Sequence, residues 1–564
     1  MLRSFSPNIG VRPILLSACL LFSLSFCSTK PSADLYLYNA NGYSLSGDSL
    51  VQFTAMAIKD GKVLAIGDTS ELAQQYRYDA TLDVKGKTLL PGLIDAHGHV
   101  MGLGHRLMQV NLEGTKSVNE AIRRIQAYVQ DNPDVDWILG GGWNQVLWED
   151  KQFPTAAQLD SLPGDKPIFL RRVDGHAAWA NQIALQRAGI SRETTDPPGG
   201  RILRDKLGNP TGVLIDKAMD MVEQVIPAAN ENLEKQALQK ALEQLRSLGI
   251  TSTHDAGIDY NTYLRYREFA EKGQLTTRIY AMISGVGKDF DQISADGLLK
   301  NYLNDFLSVR SVKLYGDGAL GSRGAALLQP YHDDAGNHGL LFYQADTLSK
   351  MILKAVKKGY QVNVHAIGDA ANKAALDAYA ITLDSVSSSM DLRHRIEHAQ
   401  VVRPDDFPRF KSLNIIASMQ PVHATSDKNM AEDRLGKDRI LGAYAWRTVL
   451  MNGIVLASGS DYPVEHANPF HGLYAAITRM DTLGNPIGGW YPDQKLNRFE
   501  ALKSFTHDAA YAGHQEQVLG SLTPGKWADF IIVDQDYFKV PDSSIWRTKV
   551  LQTFVAGKPV FTRP

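Results

Sequence analysis

His97 and His99 close the apolar run LLPGLIDAHGH (89 to 99) with one residue between them. Side chains alternate faces along a strand, so residues i and i+2 share a face. An H-x-H pair at a strand end therefore offers two imidazoles to one pocket, a geometry suited to joint binding of one metal ion. Taken alone, the spacing is equally that of ordinary surface or core histidines. Further strand-like runs, however, end at or just before Lys313, His365, His398 and Asp461, and together these residues form a ligand set. Neutral imidazole and carboxylate suit Zn, Fe, Mn or Co. The only cysteines, Cys19 and Cys27, lie near the N-terminus, so a thiolate zinc site is excluded from the rest of the chain. A free ammonium has no lone pair. Lys313 can join the set only as a carbamate formed with carbon dioxide, an anion able to bridge two metals. Otherwise it is a salt-bridged lysine.

Positioning such a set requires strands that end on one face. The middle of the chain alternates β-rich runs with helical stretches, the pattern of a parallel α/β fold. Eight strands are expected: 89–95, 250–255, 278–284, 311–315, 361–365, 394–398, 415–419 and 454–458. They suit a (β/α)8 TIM-like barrel over 89–510, whose active site lies at the strands' C-terminal ends. Residues 101–245 exceed any barrel connection and read as an inserted α/β subdomain. Short alternating runs over 34–88, with an Asp60-Gly61 hairpin signal, reappear over 511–564. The two ends are expected to build one composite β-sandwich.

At 564 residues the chain needs more than one core. Its 44% apolar and 21% charged content is ordinary for a globular protein, and a net charge of -2 without a basic stripe gives no sign of nucleic-acid binding. Residues 1–30 read as a leader. Arg3 and Arg12 precede the apolar run Ile14 to Phe26, which is short of the roughly 20 residues a membrane span needs. LSFC (24 to 27) approximates a lipoprotein cleavage box, with Phe26 bulkier than usual, which makes Cys27 the candidate lipidation site. An ordinary secretory signal is the other reading. Either way the expectation is an exported, cell-envelope or periplasmic protein, meeting a membrane only through a lipid anchor.

Eleven segments carry a resemblance to a known family, among them PGLIDAHGH (91 to 99), DGHAAWAN (174 to 181), VKLYGDGALGSRGAAL (312 to 327), NVHAIGDAA (363 to 371), RIEHAQ (395 to 400), SMQPVHATSD (418 to 427) and LASGSDYPVE (456 to 465). In content and order they resemble the amidohydrolase superfamily, particularly the branch that contains N-substituted formamide deformylases. The resemblance implies a mono- or dinuclear centre, with zinc the expected metal. His97 and His99 would hold one ion, a carboxylated Lys313 would bridge, His365 and His398 would hold the second, and Asp461 would serve as ligand and general base. A metal-activated water would attack the substrate carbonyl, and His423 or His254 would help polarise it. His176 would reach the substrate. His423, after the seventh strand, and Asp317, after Lys313, are further substrate-contact candidates; Asp317 could equally fix a Gly-rich turn. Trp143, Trp148, Trp179, Trp446 and Trp490 could line a pocket or fill a core, and Arg171 and Arg172 could bind a carboxylate or lie on the surface. Asn144 stands where the family often has Asp, which weakens any inference about amine recognition. The expected activity is hydrolysis of non-peptide C–N bonds in a small molecule. The alternatives are ester, lactone or phosphoester hydrolysis on the same scaffold, or a non-catalytic envelope binding protein.

Overall fold

The structure, a computed structural model, describes residues 30–173, 175–386 and 390–564. Cys27 and the leader before it lie outside them. At its centre are eight parallel strands: β1 (Leu93–Gly98), β2 (Ile250–Ile258), β3 (Arg278–Ser284), β4 (Leu307–Tyr315), β5 (Gln361–Ala366), β6 (Arg395–His398), β7 (Ile416–Met419) and β8 (Leu456–Ser458). Each pairs with its sequence neighbour from β1 through β8. The strands are buried along nearly their whole length, as expected of a parallel sheet covered by helices. Helix Glu231–Ser247 shows how the cover forms. Asn230 accepts the Leu233 N–H as its N-cap, and Leu238, Ala241, Leu242 and Leu245 repeat at helical spacing. That stripe shares one core with Leu93, Ile250 and Ile279. The helix, expected within the 101–245 insertion, therefore belongs to the barrel wall.

The first expected strand divides. Thr88–Pro91 enters a different sheet, and only Leu93–Gly98 enters the barrel. Gly92 sits at the division, donating its N–H to Asp529 O at 2.9 Å. A Cβ there would lie 2.2 Å from Thr251 Oγ1, so only glycine allows the crossing. The sheet that Thr88–Pro91 joins runs in the order Lys558–Thr562, Val550–Val555, Phe530–Val533, Thr88–Pro91, Asn41–Ser46, Ser49–Phe53. It draws on both ends of the chain, and it packs against a four-stranded sheet from residues 32–83 through Leu37, Met56, Ile58, Leu89, Phe530 and Phe554. The Asp60-Gly61 hairpin is present, both residues at positive φ, which matches the twist of the paired strands. The insertion forms a six-stranded mixed sheet between Val110 and Asp216. Among the described residues no helix is long and apolar enough to cross a membrane.

One buried ion pair ties the composite sheet to the barrel. Arg278, fully buried at the start of β3, donates Nε and Nη2 to the two carboxylate oxygens of Asp529 at 2.7 and 3.0 Å. Removing one partner would strand the other charge in an apolar setting, at a cost of about 3–5 kcal/mol. Asp529→Ala is accordingly expected to lower the denaturant midpoint sharply, whereas Lys59→Ala, which breaks a half-exposed pair with Asp34, should barely move it. Equal midpoints for the two variants would contradict this account.

Candidate metal centre

The barrel's last joint is not a strand ladder. Between β8 and β1 the bonds come from the segment after β8: Asp461 N–H donates to His97 O at 2.7 Å, and His99 N–H to Tyr462 O at 2.8 Å. Buried Asp95 accepts from His97 N, Ser460 N and Ser460 Oγ at 3.1, 3.1 and 2.7 Å. Gly459 makes this approach possible, since a Cβ there would lie 2.5 Å from His97 N. Asp461 itself has φ +62°, a left-handed backbone that non-glycine residues adopt only when their surroundings enforce it. The joint brings its carboxylate to the histidines. Oδ1 lies 3.2 Å from His99 Nε2 and 3.7 Å from His97 Nε2, and Oδ2 lies 3.6 Å from His423 Nε2.

Two of the imidazoles have one nitrogen held by a neighbour, which leaves the other for a metal. His97 Nδ1 is bonded to Glu397 Oε2, and His398 Nδ1 lies 2.8 Å from Gln420 Oε1. His365 Nε2, 3.5 Å from Asp317 Oδ1, is buried without a hydrogen-bond partner among the described residues. Consecutive strand residues face opposite ways, yet Glu397 and His398 both serve the site. The left-handed backbone at His398, φ +73°, turns its ring to 4.9 Å from His97 and 4.5 Å from His365, centroid to centroid. Burial foremost, then the Lys313 charge, pushes His97 down to about 4 and His365 to about 3. Both rings are neutral near pH 7 and ready to coordinate. Burial alone would raise the Asp461 carboxyl, but the His99 contact foremost, with the His97, His398 and His423 rings around it, holds it well below the usual carboxylate range.

Lys313 is fully buried, with Nζ 3.2 Å from His97 Nε2 and 5.0 Å from the Tyr315 ring centre. Burial pushes its ammonium down to about 8, despite the Glu397 and Asp461 charges that oppose this. An amine so placed carries an unprotonated fraction near neutral pH, the form that can attack carbon dioxide. The donor set fits a divalent ion. His97, His99 and Asp461 place ligand atoms within 4.8 Å of one another, as do His398, His423 and Asp461. Asp461 Oδ1 and His423 Nε2 are also buried without a hydrogen-bond partner among the described residues, a costly arrangement that a cation would relieve.

Residues 80–561 match the profile described as the amidohydrolase family. The chain belongs to the amidohydrolase family. Among curated relatives, this amidohydrolase is 34% identical over 545 residues to Protein LONG AFTER FAR-RED 3 of Arabidopsis thaliana, covering 94% of this chain and 92% of that one. It is 26% identical to the N-substituted formamide deformylase of Arthrobacter pascens, covering 93% and 97%. Among solved structures it is similar to an uncharacterized metal-dependent hydrolase from Pyrococcus horikoshii, with a TM-score of 0.75, 29% identity and coverage of 90% and 99%.

Other expected site residues of the amidohydrolase fall elsewhere. His254 is fully buried, its Nδ1 paired with Arg395 Nη1 at 2.9 Å. Although the register sets it level with His97, its Nε2 faces Gly513, where an added Cβ would lie 3.0 Å from it. Arg395 and Gly513 enclose the ring. Trp143 is fully buried in the insertion, donating Nε1–H to Leu170 O at 2.7 Å and sharing a core with Trp148 and Trp179. It is a core residue. Trp446 and Trp490 enclose the Arg479 guanidinium. Asp317 accepts N–H bonds from Ala326, Ile367 and Gly368, so it organises the loop after β4. His176 is well exposed, with Nδ1 2.8 Å from Asp216 Oδ1. Arg171 pairs with Glu223, and Arg172 donates to Gln145 and Asn144.

The residue that sequence reasoning missed is Glu397. It stands between His97 and Arg395, whose Nε lies 2.8 Å from Glu397 Oε1. Burial alone would raise its carboxyl, but Arg395, His97 and Lys313 keep it ionised. The one available signal was a glutamate and an arginine alternating inside a buried strand, RIEH. Glu397→Gln should release His97 from its orientation and weaken metal binding by about 10- to 100-fold, as partners of this kind do. Competition with a chelator measures it, and an unchanged affinity would remove Glu397 from the site.

Proposed function

We propose that the protein is a metal-dependent hydrolase of non-peptide C–N bonds, acting on N-formyl or other N-acyl amines. The observation that carries this reading is the Asp461 carboxylate, ionised and within 3.7 Å of His97, His99 and His423. The activity for which the Arthrobacter pascens relative is named, and the likeness to an archaeal metal-dependent hydrolase, support it. His97, His99, His365, His398, Asp461 and a carboxylated Lys313 would hold one or two divalent ions, zinc the best match to this donor set. Bound there, the ion supplies Lewis acidity that activates water and polarises the carbonyl.

The chain's own groups do the rest. Asp461 takes a proton as the water oxygen bonds to the carbonyl carbon. It then delivers that proton to nitrogen as the C–N bond breaks, leaving a carboxylic acid and an amine. His423, beside Asp461, orients the carbonyl oxygen. The test is turnover by zinc-loaded protein across N-formyl amines, N-acyl amines, lactones and esters, repeated after chelation. Cleavage of amides that is lost with the metal and restored by zinc supports the proposal. Turnover confined to esters or lactones, or undiminished in metal-free protein, overturns it.

A further inference from the structure

Tyr315 ends β4, two residues after Lys313, so strand alternation puts both side chains on one face. Its ring centre lies 5.0 Å from Lys313 Nζ and 5.7 Å from the His365 ring. Tyr315 thus covers the ligand set directly. Unlike Lys313 and Leu314 before it, it is 40% exposed, at the C-terminal end of its strand. The hydroxyl has no hydrogen-bond partner among the described residues and hangs over Gly257, where an added Cβ would lie 3.6 Å from it. Packing over Lys313 needs only the phenyl ring, which leaves the hydroxyl of this part-exposed residue open to solvent and to a ligand.

We propose that Tyr315 is a catalytic residue that donates its phenol O–H to the substrate oxygen as charge builds on it during attack by water. The inference rests on the hydrolase reading above and adds a donor from the chain to it. The hydrogen bond strengthens as the carbonyl oxygen turns anionic, so its contribution falls on kcat more than on KM. The donor keeps its proton throughout, and the proton that reaches the amine still comes through Asp461.

The test compares Tyr315→Phe with the wild type, both loaded with zinc. The variant keeps the ring over Lys313, so zinc stoichiometry should be unchanged. The direct readout is calorimetric binding of methylphosphonate, an anionic tetrahedral mimic, which needs no turnover. The expected result is a Kd raised about tenfold or more in the variant, roughly the value of one hydrogen bond to a charged group. Equal binding by both proteins, no binding by either, or a loss of zinc in the variant overturns the proposal. If the wild type cleaves no member of the substrate panel while the methylphosphonate difference stands, the hydrolase reading fails and the anion-donor role of Tyr315 survives. On a cleaved amide, kcat should fall about tenfold with KM nearly constant.

Discussion

Asp461→Asn is expected to lower kcat by roughly 10²-fold or more while leaving much of the metal in place. Asparagine matches aspartate in size and keeps one carbonyl oxygen, so the joint between β8 and β1, made by backbone groups of Asp461 and Tyr462, should survive. What it loses is basicity. The carboxylate is the group that can take a proton from water at a point shared by His97, His99 and His423. The pairing of a large kcat loss with retained metal separates proton transfer from coordination. Steady-state kinetics alongside elemental analysis reads both. A variant within about threefold of wild-type kcat would move the base elsewhere.

Lys313→Ala is expected to abolish activity and to lose most bound metal, with short carboxylic acids restoring part of both. Lys313→Arg should not recover either, because a guanidinium stays protonated and cannot form the carbamate. The reaction with carbon dioxide consumes the neutral amine. With the Lys313 ammonium pushed down to about 8 in the metal-free protein, the neutral fraction is near half at that pH and falls tenfold for each further unit of acid. Reloading of metal-free protein with zinc, at a dissolved carbon dioxide concentration held equal, should therefore be about 50-fold slower at pH 6 than at pH 8. A rate flat across that range, or full activity in the alanine variant, would show that the site does without a carbamate.

Much of the framework could be read from residue order, because burial on both faces gives parallel strands continuous apolar runs, and chemistry-bearing residues interrupt those runs at their ends. His97, His99, Lys313, His365, His398 and Asp461 all come together on this logic. It failed where the surroundings of a side chain mattered. His254 follows the same kind of run, but its ring is buried between Arg395 and Gly513, and nothing local says what a side chain will meet inside the barrel. It failed again at the run beginning at Leu89, where a single glycine splits one apolar stretch between two sheets. Trp143 illustrates a different limit, since an aromatic that fills a core and one that lines a pocket have the same composition and spacing. Glu397 was out of reach because its meaning comes from His97, 300 residues away in the chain.

The joint between the last and first strands has a consequence for how the molecule answers to its ion. Elsewhere neighbouring strands are fastened by ladders of main-chain bonds; here the ring is shut by Asp95, Ser460 and the backbone of Asp461 and Tyr462. His97, His99 and Asp461 sit on the two lips of that joint. An ion gripped by all three would act as a clasp. Whatever opens the ring must first release it, and at a thousand times its dissociation constant that adds about 4 kcal/mol against opening. Chain integrity and chemical competence thus rise and fall together. Starved of its ion, the protein would fray first at the place where its chemistry resides, with the amides of His99 and Asp461 as the earliest to exchange with solvent.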